Sequence, residues 1–294
     1  MAKLKINTTP SLQRLDLVVK GFVNTKFIGN YASAFKGQGL EFADYRMYTQ
    51  NDDAGKIDWK ASNRARKLLV KEFVEERNLN IYFILDVSST MFIGSTNRLK
   101  CEYAAELVSS FAHTVLKSGD FVGLIMFSDK VAKQVMPNNG MKQYQILSES
   151  LSNLSFYGGG SEIGKILDNS LKFIEQNSLV ILISDFITTD NYEKSLKLAG
   201  KKFDLICISV RDPIDMELPS GIGEVLVEDP ISRETMLISP NKYKKSYAKE
   251  TRKQINTVEK TFRRAGADFL SLYTDKPFIK ELVTFFKRRE ARWR

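Results

Sequence analysis

Histidine and cysteine are nearly missing from this chain: 294 residues hold one histidine and two cysteines. That scarcity excludes a histidine-rich metal centre and a disulfide framework, and nearly excludes a zinc cluster. Cys101 falls in a helical pattern and Cys207 in an apolar strand pattern, which suits a reducing compartment. The lone histidine, His113, would have to be the base of any Ser/His/Asp hydrolase. Its place in mid-helix, two residues after Phe111, reads instead as an ordinary helix-face residue. Long apolar runs are absent too. No stretch approaches the ~18 residues of a membrane-spanning helix, and no apolar segment of the kind found in secretion signals follows Met1-Ala2-Lys3-Leu4-Lys5. The expectation is a cytoplasmic protein.

What is present is a globular balance, 43% hydrophobic and 27% charged, which argues against wholesale disorder and coiled coil. At roughly 150 residues per domain the length gives about two domains, or one large one with embellishments. Charge is uneven. The net +9 resides in residues 241–294, whose 16 basic and 6 acidic side chains leave the first 240 residues at −1.

Thr8-Thr9-Pro10 followed by Leu12, Leu15, Val18, Val19 and Phe22 predicts a capped amphipathic helix. From Phe35 to Trp59 glycines, aromatics and charges alternate without a sustained period, predicting an ordered but irregular segment. Leu68 to Val74 alternates as a strand, and a turn through Glu76-Arg77-Asn78 would make it the antiparallel neighbour of the strand that follows. Then the pattern becomes regular. The short apolar runs Ile81 to Leu85, Phe121 to Phe127, Leu179 to Ile183 and Leu205 to Val210 suit strands buried on both faces of a parallel sheet. Amphipathic helices over Arg98 to Lys117 and Ile163 to Gln176 lie between them. The fold class is therefore α/β with a doubly wound, mostly parallel sheet. A hairpin is expected from Val225 to Val227 and Thr235 to Ile238, inserted within about 213–240. A long basic helix over Asn241 to Arg264, a strand over Phe269 to Tyr273 and a helix over Phe278 to Arg289 follow. The organisation is residues 1–78 as an N-terminal helix and a mixed irregular and β segment, and 79–294 as the α/β unit with its hairpin and basic C-terminal helices.

Ligands of open α/β sheets bind beyond the carboxyl ends of the strands, so polar residues after the apolar runs are the place to look. One run continues Asp86-Val87-Ser88-Ser89-Thr90, where alternate positions present a carboxylate and two hydroxyls on one side of an extended loop. Another ends Ser184-Asp185. Between them Gly158-Gly159-Gly160-Ser161 opens a helix with a further hydroxyl. Asp86, Ser88, Thr90, Ser161 and Asp185 are all hard oxygen donors, which favours Mg²⁺, with Mn²⁺ able to replace it, over zinc or copper.

This constellation resembles the metal-ion-dependent adhesion site of von Willebrand factor A domains. Gly37-x-Gly39-x-Glu41-Phe42, Arg46-x-Tyr48, Asp52-Asp53, Ile57-Asp58-Trp59 and Lys71-Glu72 with Glu75-Glu76 are similar to the signature of the bacterial domain of unknown function 58 (DUF58) family, and the resemblance runs from about Leu12 to Phe286. It implies a von Willebrand factor A, Rossmann-like core with the five named residues as metal ligands. Thr90 stands where serine is usual and Ser161 where threonine is usual, each keeping its hydroxyl. The resemblance also implies partnership with MoxR-type AAA+ ATPases or their clients, and carries no enzymatic activity. The expected function is that of a non-enzymatic adaptor whose metal ion grips an acidic side chain of a partner. The alternative is a Mg²⁺-dependent phosphoester or nucleotide hydrolase using the same aspartates.

Two near-motifs fall short of enzymes. Gly159-Gly160-Ser161-Glu162-Ile163-Gly164-Lys165-Ile166 has isoleucine where a nucleotide-binding loop needs serine or threonine. Asp86-Val87-Ser88-Ser89-Thr90 lacks the second acid of a phosphoaspartyl phosphatase. Arg46, Asp52, Asp53, Asp58 and Lys60 around Trp59 are read as a salt-bridged wrap rather than a partner-facing surface. The C-terminal cations are read as solvated helix faces, although Phe285 to Arg289 and Arg292-Trp293-Arg294 would also suit weak peripheral contact with an anionic membrane. No nucleic-acid module accompanies the charge, so no nucleic-acid partner is expected.

Overall fold

The computed structural model describes Leu4 and residues 41–49, 52–74 and 79–293. The helix expected from Thr8 to Phe22 lies outside these residues, as do Gly37, Gly39, Glu75 and Glu76 of the family signature.

Residues 41–74 form a small unit. Strands β1 (Glu41–Met47) and β2 (Leu69–Val74) pair antiparallel, from Glu41 opposite Val74 to Met47 opposite Leu69. Helix α1 (Trp59–Ala65) lies between them in sequence. It starts at Asp58, whose carboxylate accepts the Ala61 N–H at 3.0 Å, and ends at Arg66, which takes the left-handed conformation at φ 53° and turns the chain into β2. Two expectations are corrected here. The segment read as irregular contains a strand, whose charged Asp44 and Arg46 hide the apolar alternation a reader looks for. The partner of β2 is β1 and not the strand that follows.

That following strand, β3 (Asn80–Asp86), lies inside a second sheet. After it come α2 (Lys100–Lys117), β4 (Phe121–Phe127), β5 (Val131–Asn138), α3 (Gly140–Ser152), α4 (Ile163–Phe173), β6 (Leu179–Ser184), α5 (Glu193–Lys202), β7 (Asp204–Arg211) and the short α6 (Pro213–Met216). The hairpin β8 (Val225–Glu228) and β9 (Thr235–Ile238) leads into α7 (Pro240–Arg264), β10 (Asp268–Tyr273) and α8 (Phe278–Trp293). The six strands run in the order β10-β7-β6-β3-β4-β5, and every neighbouring pair is parallel except β4 with β5. Together with the flanking helices this is a von Willebrand factor A-like fold.

The parallel strands are apolar on both faces because helices cover both. On one side Ile81, Phe83 and Leu85 of β3 pack with Leu107, Phe111 and Val115 of α2 and with Phe278, Leu282 and Phe286 of α8. On the other, Ile84, Val180 and Cys207 pack with Ile166 and Leu167 of α4, Leu196 of α5 and Phe262 of α7. Arg289 of α8 is buried and ion-paired with Asp204 and Asp268, pinning the helix across the starts of β7 and β10. Phe286 and Arg289 are thus committed to the fold, while Lys287, Arg288 and Arg292 remain exposed. Among the described residues no helix is long and apolar enough to cross a membrane.

Candidate functional site

The chain leaves β3 for β4 and β5 on one side, then returns to build β6, β7 and β10 on the other. The winding reverses between β3 and β6, so a crevice opens beyond their carboxyl ends. Asp86 is the last residue of β3 and Asp185 follows the last residue of β6. Both are fully buried.

The loop after β3 turns back at once. The Ser88 N–H donates to Oδ1 of Asp86 at 2.9 Å, and the Ser88 and Thr90 hydroxyls lie 3.1 Å apart. The glycine turn is tied to this loop by three bonds: Gly158 N–H to the Val87 carbonyl (2.7 Å), Ser89 N–H to the Gly159 carbonyl (2.9 Å) and Gly159 N–H to the Ser89 hydroxyl (3.0 Å). Gly159 has φ +89°, and a Cβ there would stand 3.0 Å from the Asp129 carboxylate, so no other residue fits without strain. This docking carries Ser161 onto Asp86, where its hydroxyl donates to Oδ2 at 2.8 Å. Four of the five residues singled out in the sequence therefore form one hydrogen-bonded group. The fifth, Asp185, lies across the crevice, close enough for its charge to disfavour ionisation of Asp86.

Burial, reinforced by the Asp185 charge, pushes the Asp86 carboxyl up to about 6, against the hydrogen bonds from Ser184 and Ser88 that favour its ionised form. The Ser184 hydroxyl donates to Asp86 Oδ2 at 2.6 Å and accepts the Phe186 N–H at 2.9 Å. Among the described residues neither oxygen of Asp86 meets a cation.

Asp185 does meet one. Its Oδ1 accepts the Ile187 N–H at 2.9 Å, and its Oδ2 lies 2.8 Å from the ammonium of Lys100, at the start of α2. The same ammonium is 3.0 Å from Oδ2 of Asp215, and Lys100 is fully buried. Asp215 also accepts the Asp212 N–H, and Asp212 takes hydrogen bonds from Ser95, from Thr274 at 2.6 Å and from the Ile214 N–H at 3.0 Å. Arg211, buried at the end of β7, has no acceptor for its Nε among the described residues.

Lys100, Ser184, Asp212 and Asp215 escaped sequence reasoning. A lysine on an otherwise apolar helical face, in step with Tyr103, Leu107 and Phe111, was the available signal for the first. The acidic pair after Arg211 was the signal for the last two. Ser184 gave none, because a small polar residue at a strand end is common.

The donor set consists of hydroxyls and carboxylates. Among the described residues no group of three or more His, Cys, Asp or Glu side chains is arranged to hold a metal. An ion at the crevice would therefore depend on Ser88, Thr90 and Ser161 beside two aspartates, which fits a hard cation and not a soft one. The Ser161 proton is directed at Asp86, leaving lone pairs of that hydroxyl free, so the arrangement is compatible with a cation.

Comparison with known proteins finds a matching family, a sequence relative and structural neighbours. The model of the family described as "Protein of unknown function DUF58" matches residues 44–257. An uncharacterized protein of Mycobacterium tuberculosis is 22% identical over 282 residues, covering 95% of this chain and 89% of that one. The crystal structure of the conserved hypothetical protein BatB from Bacteroides thetaiotaomicron superposes with a TM-score of 0.50 at 15% identity, over 73% of this chain and all of that one. The VWA domain of SpRpn10 aligns with a TM-score of 0.41 at 11% identity, over 70% of this chain and 94% of that domain.

Proposed function

The chain belongs to the DUF58 family, and on that premise we propose that it is a non-enzymatic, metal-dependent protein-binding module. Asp86, Ser88, Thr90, Ser161 and Asp185 would hold Mg²⁺, or Mn²⁺ in its place. When bound, the ion supplies a positive centre that accepts one acidic side chain from a partner.

The observation that carries this reading is the uncompensated charge of the crevice. Three buried carboxylates, Asp86, Asp185 and Asp215, share one buried ammonium, that of Lys100. With all four ionised the formal charge is −2, in a setting where an unanswered charge costs several kcal/mol. Burial first, and the neighbouring Asp185 charge second, hold the Asp86 proton above the usual carboxylate range. A dication balances the account without protonation. The residues have separate tasks: Ser161 and Ser184 orient Asp86, the Ser88–Thr90 pair offers hydroxyl oxygens, and the glycine turn keeps the loops in register.

By family resemblance the partner is a MoxR-type AAA+ ATPase or its client. The test is capture of the purified ATPase on immobilised protein. Retention in Mg²⁺ that is lost in chelator and lost with Asp86→Ala supports the reading. Retention indifferent to both contradicts it, and metal-dependent hydrolysis of ATP or a phosphoester by the purified protein would favour the hydrolase alternative.

A further inference from the structure

The buried ammonium of Lys100 touches two carboxylates that face different neighbours. Asp185 looks onto the crevice shared with Asp86. Asp215 belongs to α6, a short turn whose cap at Asp212 is fixed by Ser95 and Thr274. Both contacts are near 3 Å, at 2.8 and 3.0 Å, so the ammonium is shared between them. An ammonium so completely removed from water needs an anion beside it. One carboxylate is enough for that purpose, and here there are two.

We propose that Lys100 is a built-in competitor of the divalent ion: its ammonium holds Asp185 when the crevice is empty and withdraws onto Asp215 when the ion binds. This inference rests on the metal-binding reading of the crevice and adds its regulation. The physical ground is charge. An ammonium on Asp185 neutralises one of the site's two carboxylates and repels a dication placed beside it, and in so dry a setting that repulsion is weakly screened. A long, four-carbon stem lets the ammonium move without disturbing α2, and Asp215 gives it a second anionic seat. Ion binding and Lys100 placement are then linked, and the linkage reaches α6.

The two contacts make opposite predictions when removed separately. Lys100→Met deletes the competitor and should tighten Mn²⁺ binding by about tenfold or more. Asp215→Asn deletes the alternative seat, leaves the ammonium on Asp185 and should weaken binding severalfold. A purely structural lysine would weaken binding in both. The measurement is the Mn²⁺ dissociation constant of each full-length protein, read from the electron paramagnetic resonance signal of the free ion, with circular dichroism confirming the fold. Tighter binding by Lys100→Met with weaker binding by Asp215→Asn supports the proposal. Unchanged or weaker binding by Lys100→Met overturns it, and should that variant not fold, equal or tighter binding by Asp215→Asn does so. If wild type binds Mn²⁺ but the variants show the wrong signs, the metal site stands and only the competitor falls. If wild type and Lys100→Met both fail to bind, both readings fall.

Discussion

Two regions of this molecule are rich in aspartate, and Asp86 in one is treated in the opposite way to Asp52 and Asp58 in the other. In the unit formed by residues 41–74 every carboxylate discussed has a local answer. Asp52 takes both ends of the Arg46 guanidinium at 2.6 Å, together with the Thr49 N–H, and is held well below the usual carboxylate range by these contacts. Asp58 caps α1 and accepts from the Ala61 N–H, from Lys71 at 3.1 Å and from the Tyr45 hydroxyl at 3.1 Å, and is lowered to about 2. In the crevice, among the described residues, Asp86 meets only hydroxyls and an N–H, with a second carboxylate nearby, and its carboxyl rises. Answered charges near solvent build framework and contribute little each. A buried charge left in excess is a place where something is meant to bind. Under the proposed reading the crevice, and not the first unit, is the functional cluster.

The largest expected effect is on Asp86. Its folded-state pKa is raised, so its contribution to stability is fully present below the ordinary carboxylate value of about 4 and is lost as the pH rises through about 6. In chelator, Asp86→Asn should therefore be more stable than wild type at pH 8, by about 1 to 3 kcal/mol, and the gap should close toward pH 4. Urea midpoints across that range check this. A gap that does not change with pH would break the contrast between the two regions.

Asp58→Ala sharpens the comparison from the other side. It removes a helix cap and the pairing with Lys71 and Tyr45, so unfolding should begin at slightly lower temperature, with the thermal response to Mg²⁺ unchanged. Arg46→Ala should do less still, since an exposed ion pair is screened by salt. A loss of metal response in either variant, followed by scanning calorimetry with and without Mg²⁺, would mean that the first unit belongs to the site.

Much of the core was legible because burial on both faces leaves a direct trace: β3, β4, β6 and β7 are nearly uninterrupted apolar runs, each bounded by polar residues. The loop residues at their ends were legible for a related reason, since hydroxyls and carboxylates stand where apolar residues stop. What was hidden depends on tertiary context. Strand β5 lies at the sheet edge with Val135 buried between exposed neighbours, and it tolerates Pro137. The pairing of β1 with β2 spans a helix and a turn, and no local pattern encodes it. Lys100 and Asp215 are far apart in sequence and meet only when the fold brings the first residue of α2 beside α6. Lysine there looks like a solvated residue until the fold buries it. His113, read as a helix-face residue, packs edge-on against Tyr144 at 5.1 Å.

The most direct test of a divalent ion in the crevice is the melting temperature of wild type and Asp86→Ala, each in chelator and in saturating Mg²⁺. Binding at about a hundredfold above the dissociation constant stabilises by about 2.7 kcal/mol, about 5 °C or more for a domain of this size. A rise of that order in wild type and none in Asp86→Ala is the predicted result. Equal shifts in the two proteins, or none in either, would contradict it.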